Sequence, residues 1–145
     1  MLNTRQHLVV RSTGLTKQYG NAEVVSGVGL EVPARQVYGF LGPNGAGKTT
    51  TMRMILGLAA PTSGRVEIDG RPYAALDAPL KKVGAMVDAS AIDLRLTPAQ
   101  YLDILTTASG IDGTRIRDVL AAVGLAEAAD LERAELKHSV FGICN

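Results

Sequence analysis

The chain has 145 residues, a formal net charge of +1 and a single cysteine, with 46% hydrophobic and 20% charged residues. The near-zero net charge argues against a nucleic-acid partner, and the lone thiol of Cys144 excludes an internal disulfide. No apolar run approaches the ~20 residues that cross a bilayer, and the N-terminus has no hydrophobic signal-peptide core. These properties predict a cytoplasmic protein of one domain's length.

The first forty residues predict strands. Residues 8–10 begin one strand, which leads to a turn at residues 20–21. Residues 24–32 alternate apolar and small residues, as a second strand does, and Pro33 closes it. Residues 36–41, with the sequence Gln-Val-Tyr-Gly-Phe-Leu, are mostly apolar and predict a third, buried strand.

The next eight residues, 42–49, follow the pattern G-x-x-x-x-G-K-[ST] of a phosphate-binding loop. Glycine has no Cβ and adopts positive φ, so successive backbone N–H groups can turn inward toward phosphate oxygens. Lys48 would supply a positive charge to the β- and γ-phosphates, and the Thr49 hydroxyl can join the shell of a Mg²⁺ ion. A helix predicted from Lys48 to Leu58 places the anion at a helix N-terminus, where free amides favour negative charge. The segment therefore predicts a site for a nucleoside triphosphate.

Shorter elements follow the loop. The predicted helix has Met52, Ile55 and Leu56 on one side. Residues 60–64 contain Pro, Ser and Gly and should end it. Residues 65–68 alternate as a strand does, and Asp-Gly at 69–70 predicts a hairpin turn. A short helix over 77–82 and an apolar strand over 83–87 complete the mixed α/β part.

The remaining residues change to helical periodicity. Thr97 followed by Pro98 is a typical helix start, and apolar residues recur at helical spacing up to position 108. A second helix is predicted from Asp112 to Val123, with Gly124 ending it. We therefore expect an α/β core over residues 1–90, a helical portion over 91–132 and a divergent tail over 133–145.

These motifs resemble the ATP-binding, or nucleotide-binding, domain of an ABC transporter, of the exporter subtype associated with antibiotic and peptide efflux. Residues 41–50 match the family's own version of the Walker A loop, and residues 57–64 followed by residues 66–70 are equally typical. Residues 15–20, Leu-Thr-Lys-Gln-Tyr-Gly, resemble the family segment whose aromatic ring stacks on adenine. The resemblance covers approximately residues 8–130.

The resemblance implies the fold class: an α/β P-loop NTPase, ABC ATPase-like, of which this is the N-terminal half. Its parts would be a mixed sheet and the start of the helical subdomain. In the family fold, residues 37–41 pair with strands that come later in the sequence. Such parallel strands are normally covered on both faces.

The resemblance also implies ATP and Mg²⁺ as cofactors. Tyr19 would stack on adenine, although a tyrosine packed at a strand end is the alternative. The residues that it implies for nucleotide binding are Tyr19, Gly42, Pro43, Asn44, Gly45, Ala46, Gly47, Lys48, Thr49 and Thr50. The implied metal ligands are Thr49 and Asp88, and no residue is assigned as catalytic.

Asp88 departs from the family, which has Gln, or Glu in some exporters, at the end of this strand. Aspartate keeps an oxygen ligand but is one methylene shorter, so direct coordination, a water-mediated contact and no contact all remain open. An apolar strand ending in Asp also describes the Walker B strand of a small kinase-like NTPase, although no glutamate follows at position 89. A solvent-facing carboxylate is the third interpretation.

Two family motifs do not occur in these 145 residues: a Ser-Gly-Gly signature and an apolar strand ending in Asp-Glu. We therefore expect an N-terminal fragment or truncated product that binds Mg-ATP and hydrolyses it negligibly alone. In a complete system it would pair with a second nucleotide-binding domain. It would energise a separate membrane-spanning transporter subunit from the inner face of the cell membrane. A non-catalytic regulatory module and a small kinase-like P-loop NTPase are the alternatives.

Overall fold

The computed structural model describes residues 7–87 and 95–131, which belong to two compact units, residues 1–79 and 80–145. In the first unit, β1 (Leu8–Tyr19), β2 (Ala22–Pro33) and β3 (Ser63–Ile68) form an antiparallel sheet in the order β2-β1-β3. The strands predicted from residues 8, 24 and 65 are confirmed, as is the turn between β1 and β2.

The predicted hairpin turn after β3 is also confirmed. Asp69 and Gly70 both have positive φ, 49° and 75°, which a two-residue turn of type I′ requires. Ile68 and Arg71 then face each other as an antiparallel bridge.

The helix after the phosphate-binding loop, α1 (Lys48–Ile55), packs on the sheet. Met54 forms the buried core with Leu15 of β1 and Val25 of β2. The predicted extent to Leu58 and the predicted apolar face are wrong in part, since α1 ends at Ile55 and its buried residues are Thr51 and Met54.

A C-terminal cap explains the early end of α1. Gly57 has a φ of 67°, Leu58 N–H donates to Arg53 O at 2.8 Å, and Gly57 N–H donates to Met54 O at 3.1 Å. These two bonds form a Schellman motif, which satisfies the last carbonyls of a helix through a left-handed glycine.

The strand predicted at residues 36–41 is wrong, because the structure assigns no strand there. Val37 and Leu41 are almost fully exposed, with relative accessibilities of 104% and 91%. The strand predicted at 83–87 is likewise absent. An extended apolar segment becomes a buried strand only beside a partner, and the described residues offer neither segment a parallel neighbour.

The second unit is helical. The predicted helix start at Thr97 is confirmed: its hydroxyl accepts from Gln100 N–H at 3.2 Å, and the Gln100 side chain accepts from Thr97 N–H at 3.0 Å. This capping box begins α3 (Pro98–Ser109), and Gly110 with a φ of 60° ends it.

Two predicted helices are shorter than expected. The helix predicted over 77–82 is α2 (Pro79–Lys82). The helix predicted from Asp112 begins as a 3₁₀ turn over Gly113–Arg115 and continues as α4 (Ile116–Ala122). The Asp112 carboxylate accepts from Thr114 N–H at 2.9 Å, and this local bond favours the tighter first turn.

Candidate nucleotide-binding site

The phosphate-binding loop leads directly into α1. Gly45 and Gly47 have φ values of 85° and 78°, and Gly47 is the N-cap of the helix. The first intrahelical bond runs from Thr51 N–H to Gly47 O at 2.8 Å, so the amides before Thr51 have no partner within the helix. Gly47 offers no side-chain cap, and the first turn of α1 contains no acidic residue. The amides and the helix dipole can therefore act on an anion at this end.

The Lys48 side chain folds back over the loop that precedes it. Its Nζ donates to Gly42 O at 2.6 Å and to Pro43 O at 2.7 Å. An ammonium has three N–H donors, so one donor remains after these two bonds. The loop carbonyls thus fix a positive charge at the N-terminus of α1.

Position 47 requires glycine for two reasons: its positive φ and the lack of room for a side chain. A Cβ at this position would lie 2.3 Å from Val24 O and 2.7 Å from Val25 Cγ2. The Val24 carbonyl of β2 therefore contacts the backbone of the loop at Gly47. This contact fixes the start of α1 against the sheet. Gly45 has a similar φ but nothing within 4 Å of an added Cβ.

The three threonines after Lys48 have different environments. Thr49 is exposed and Thr50 is half-buried, whereas Thr51 is buried and its hydroxyl donates to Gly47 O at 3.0 Å. The exposed Thr49 hydroxyl is therefore available to a ligand beside the loop, while Thr51 holds the first turn.

Tyr19 ends β1, and the residue is half exposed, with a relative accessibility of 52%. Tyr19 pairs with Ala22 at the start of β2, two residues before Val24, whose carbonyl contacts Gly47. The sheet therefore brings the hairpin end that carries Tyr19 to the side of the phosphate-binding loop. The Lys17 ammonium lies 4.8 Å from the centre of the Tyr19 ring.

Asp88 lies outside the described residues. Within residues 7–87 and 95–131, no group of three His, Cys, Asp or Glu side chains could hold a metal ion. A Mg²⁺ ion is commonly bound by one or two protein oxygens together with substrate phosphates and waters. The Thr49 hydroxyl beside the loop can be such a protein oxygen, so the residues near the loop fit a Mg²⁺ ion bound in this way.

Sequence reasoning missed two contributors to this region, Lys17 and Val24. The alternation of strand side chains places Lys17 and Tyr19 on the same face of β1, so their contact could have been anticipated. Val24, which contacts Gly47, lies at an irregularity in the pairing of β1 and β2, and that irregularity has no signal in the sequence.

A glycine-lined loop before a helix, with a lysine held over it, is the site of a P-loop nucleotide-binding protein. The ABC transporter family profile matches residues 25–140. The chain therefore belongs to the ABC transporter family, as its motifs predicted.

Characterised relatives share much of this chain. The bacitracin transport ATP-binding protein of Bacillus licheniformis is 40% identical over 119 residues, covering 81% of this chain and 39% of that protein. The lantibiotic transport ATP-binding protein of Streptococcus pyogenes is 32% identical over 135 residues, with coverages of 93% and 57%. The daunorubicin/doxorubicin resistance ATP-binding protein of Streptomyces peucetius is 33% identical over 134 residues, with coverages of 89% and 41%. The chain thus spans between 39% and 57% of the length of these relatives.

A solved structure, the ATP-binding subunit of an ABC transporter, superposes with a TM-score of 0.71. The match covers 87% of this chain and 55% of that subunit at 24% identity, and it confirms the predicted fold class. In the described part of the chain, no helix combines the length and apolar character needed to cross a membrane.

Proposed function

We propose that this chain binds Mg-ATP through residues 42–50 and serves as the ATP-binding component of an ABC exporter. The proposal rests on the arrangement of groups at the start of α1. There, unpaired amides, the helix dipole and the fixed Lys48 ammonium all favour an anion at the same end of one helix.

Each part of the nucleotide would meet a different group. The backbone of residues 42–47 and Lys48 would hold the β- and γ-phosphates, and the Thr49 hydroxyl would contribute to the Mg²⁺ shell. Tyr19 would stack on adenine, since the residue is half exposed at the hairpin end beside the loop. Asp88 is the proposed second contact to Mg²⁺. The bound metal would neutralise phosphate charge.

The proposed role in export is supported by relatives whose names specify transport of bacitracin and of lantibiotics. By analogy, the partners would be a membrane-spanning subunit and a second nucleotide-binding domain, with assembly at the cytoplasmic face of the membrane. The transported compound would be selected by the membrane-spanning subunit.

We further propose that these 145 residues bind ATP with negligible turnover on their own. Hydrolysis by a P-loop protein needs a residue that positions the attacking water, besides the phosphate and metal contacts. No Asp-Glu pair after an apolar strand occurs in the sequence to take this role. ATP turnover by the purified chain that Lys48→Ala abolishes would contradict this part of the proposal.

The binding proposal is tested by thermal unfolding of the chain with increasing Mg-ATP. Ligand at about a hundred times its dissociation constant should stabilise the folded state by about 2.7 kcal/mol. Lys48→Ala should abolish the rise in Tm, because it removes the cation that contacts the phosphates. Lys82→Ala is the matched control, since it removes the same charge from an exposed position on α2. An equal rise in Tm for wild type and Lys48→Ala would refute binding through this loop.

A further inference from the structure

The end of β1 that carries Tyr19 is tied to the loop that follows α1. Gln18 N–H donates to the Thr62 hydroxyl at 3.0 Å, and Thr62 N–H donates to Thr16 O at 2.8 Å. These bonds join residues more than forty positions apart. They hold the backbone on either side of Lys17 against the segment between α1 and β3.

Lys17 adds a side-chain bond to the same segment. Its Nζ donates to Ala60 O at 2.6 Å and lies 4.8 Å from the centre of the Tyr19 ring. A cation within about 6 Å of a ring centre is attracted to the ring face. One ammonium therefore bonds the loop after α1 and contacts the ring at the end of β1.

The pairing of β1 with β2 joins this strand end to the phosphate-binding loop as well. Lys17 pairs with Val25 and Gln18 with Glu23, so one step along β1 corresponds to two along β2. Val24 is the extra residue, which makes it a β-bulge. Its carbonyl is the group that contacts Gly47. The strand end is thus fixed against segments at both ends of α1.

We propose that Lys17 is a positioning residue for nucleotide binding. It holds the Tyr19 ring from one face, and the opposite face is the one on which the base stacks. This inference rests on the proposed binding of ATP by the loop and by Tyr19. Lys17 would act on the base through the ring and leave the phosphate contacts unchanged.

The distinction between base and phosphates provides the test. Dissociation constants for Mg-ATP and Mg-tripolyphosphate are measured by calorimetry on the 145-residue chain. Lys17→Met should weaken Mg-ATP binding by about threefold, as expected for loss of an exposed cation–π contact, and leave Mg-tripolyphosphate binding unchanged. Lys17→Arg should restore ATP affinity, because guanidinium can keep both the ring contact and a bond to a carbonyl. Lys81→Met, at an exposed position on α2, is the matched control for charge.

Tyr19→Leu supplies the second comparison. It should weaken Mg-ATP binding by about fivefold or more, the lower end of measured base–aromatic stacking, and Lys17→Met should then have no further effect. Equal weakening of ATP and tripolyphosphate by Lys17→Met would overturn the proposal, since Lys17 would then act on the phosphates. Unchanged ATP affinity in Lys17→Met would also overturn it.

A measurement without ligand separates this inference from the proposed function. Lys17→Met should shift the NMR signals of the Tyr19 ring protons in the free chain, and Lys17→Arg should shift them less. Loss of both ligands in Lys48→Ala supports the proposed function independently of Lys17. If the wild type binds neither ligand, the proposed function fails, and the positioning role in nucleotide binding fails with it. The ring signals would then still report whether Lys17 holds Tyr19. Ring signals unaffected by Lys17→Met would refute the contact itself.

Discussion

The phosphate-binding loop and the six residues before it are adjacent in the chain but differ in how they are stabilised. Residues 42–51 are held by short-range bonds such as those of Lys48, and by the close approach of β2 to Gly47. Residues 36–41 are more apolar, yet Val37 and Leu41 are almost fully exposed. A turn and a helix start can form from their own residues, whereas a buried parallel strand needs neighbours on both sides.

The contrast shows which residues encode the binding chemistry of this chain. The amides and the ammonium at the start of α1 are arranged without any parallel strand among the described residues. Binding and the completion of the sheet can therefore be tested separately. Matched pairs of variants can also show how the loop and residues 36–41 are each stabilised.

The largest effect is expected for Gly47→Ala. The variant must accept a positive φ and a Cβ 2.3 Å from Val24 O. Backbone strain and overpacking together should lower the free energy of unfolding by about 4 kcal/mol. Gly45→Ala has the same strain without the overlap and should cost only about 1 kcal/mol. Denaturant unfolding of both variants checks this, and equal losses would mean that β2 does not contact the loop in solution.

The next effect compares two leucines. Leu15 is fully buried in the core of the first unit, and Leu15→Ala should cost about 3 kcal/mol. Leu41 is 91% exposed, so Leu41→Ala should change the free energy of unfolding by less than about 0.5 kcal/mol. The same denaturant assay measures both. A loss for Leu41→Ala close to that for Leu15→Ala would show that residues 36–41 are buried in the native protein.

The smallest effect concerns a local turn in the second unit. The backbone N–H of Thr114, followed by its side chain, lowers the pKa of Asp112 below the ordinary value of 3.8. Because the pKa is lower in the folded state, the ionised carboxylate stabilises the fold at every pH above the ordinary pKa. This stabilisation is lost as the pH falls through the lowered pKa. Asp112→Asn should therefore reduce Tm slightly near neutral pH, and the difference from wild type should shrink in acid.

Asp103→Asn on α3 removes the same charge and serves as the control for the Asp112 variant. Thermal unfolding between about pH 6 and about pH 2 gives both curves. A constant difference between wild type and Asp112→Asn across this range would contradict a role for the ionised carboxylate.

The local features of the fold could be predicted from the sequence. The loop pattern, the capping box at Thr97, the turn at residues 69–70 and the β1–β2 hairpin were predictable because each depends on the residues within it. The ABC transporter family followed from the loop and the motifs around it. The nucleotide-binding residues remain a proposal, as do Asp88 and the partners.

Which surfaces are buried depends on tertiary packing and could not be predicted from the sequence. The face of α1 that packs on the sheet contains Thr51 and Met54, because the position of the sheet selects it. The Val24 bulge and the link from Lys17 to Ala60 join residues far apart in sequence, so composition and periodicity could not reveal them. Residues 36–41 have the composition of a buried strand, but burial also requires partners that hydrogen-bond to the backbone and cover the side chains. An apolar composition shows only that a segment can be buried. Whether it is buried depends on the presence of neighbouring strands and covering helices.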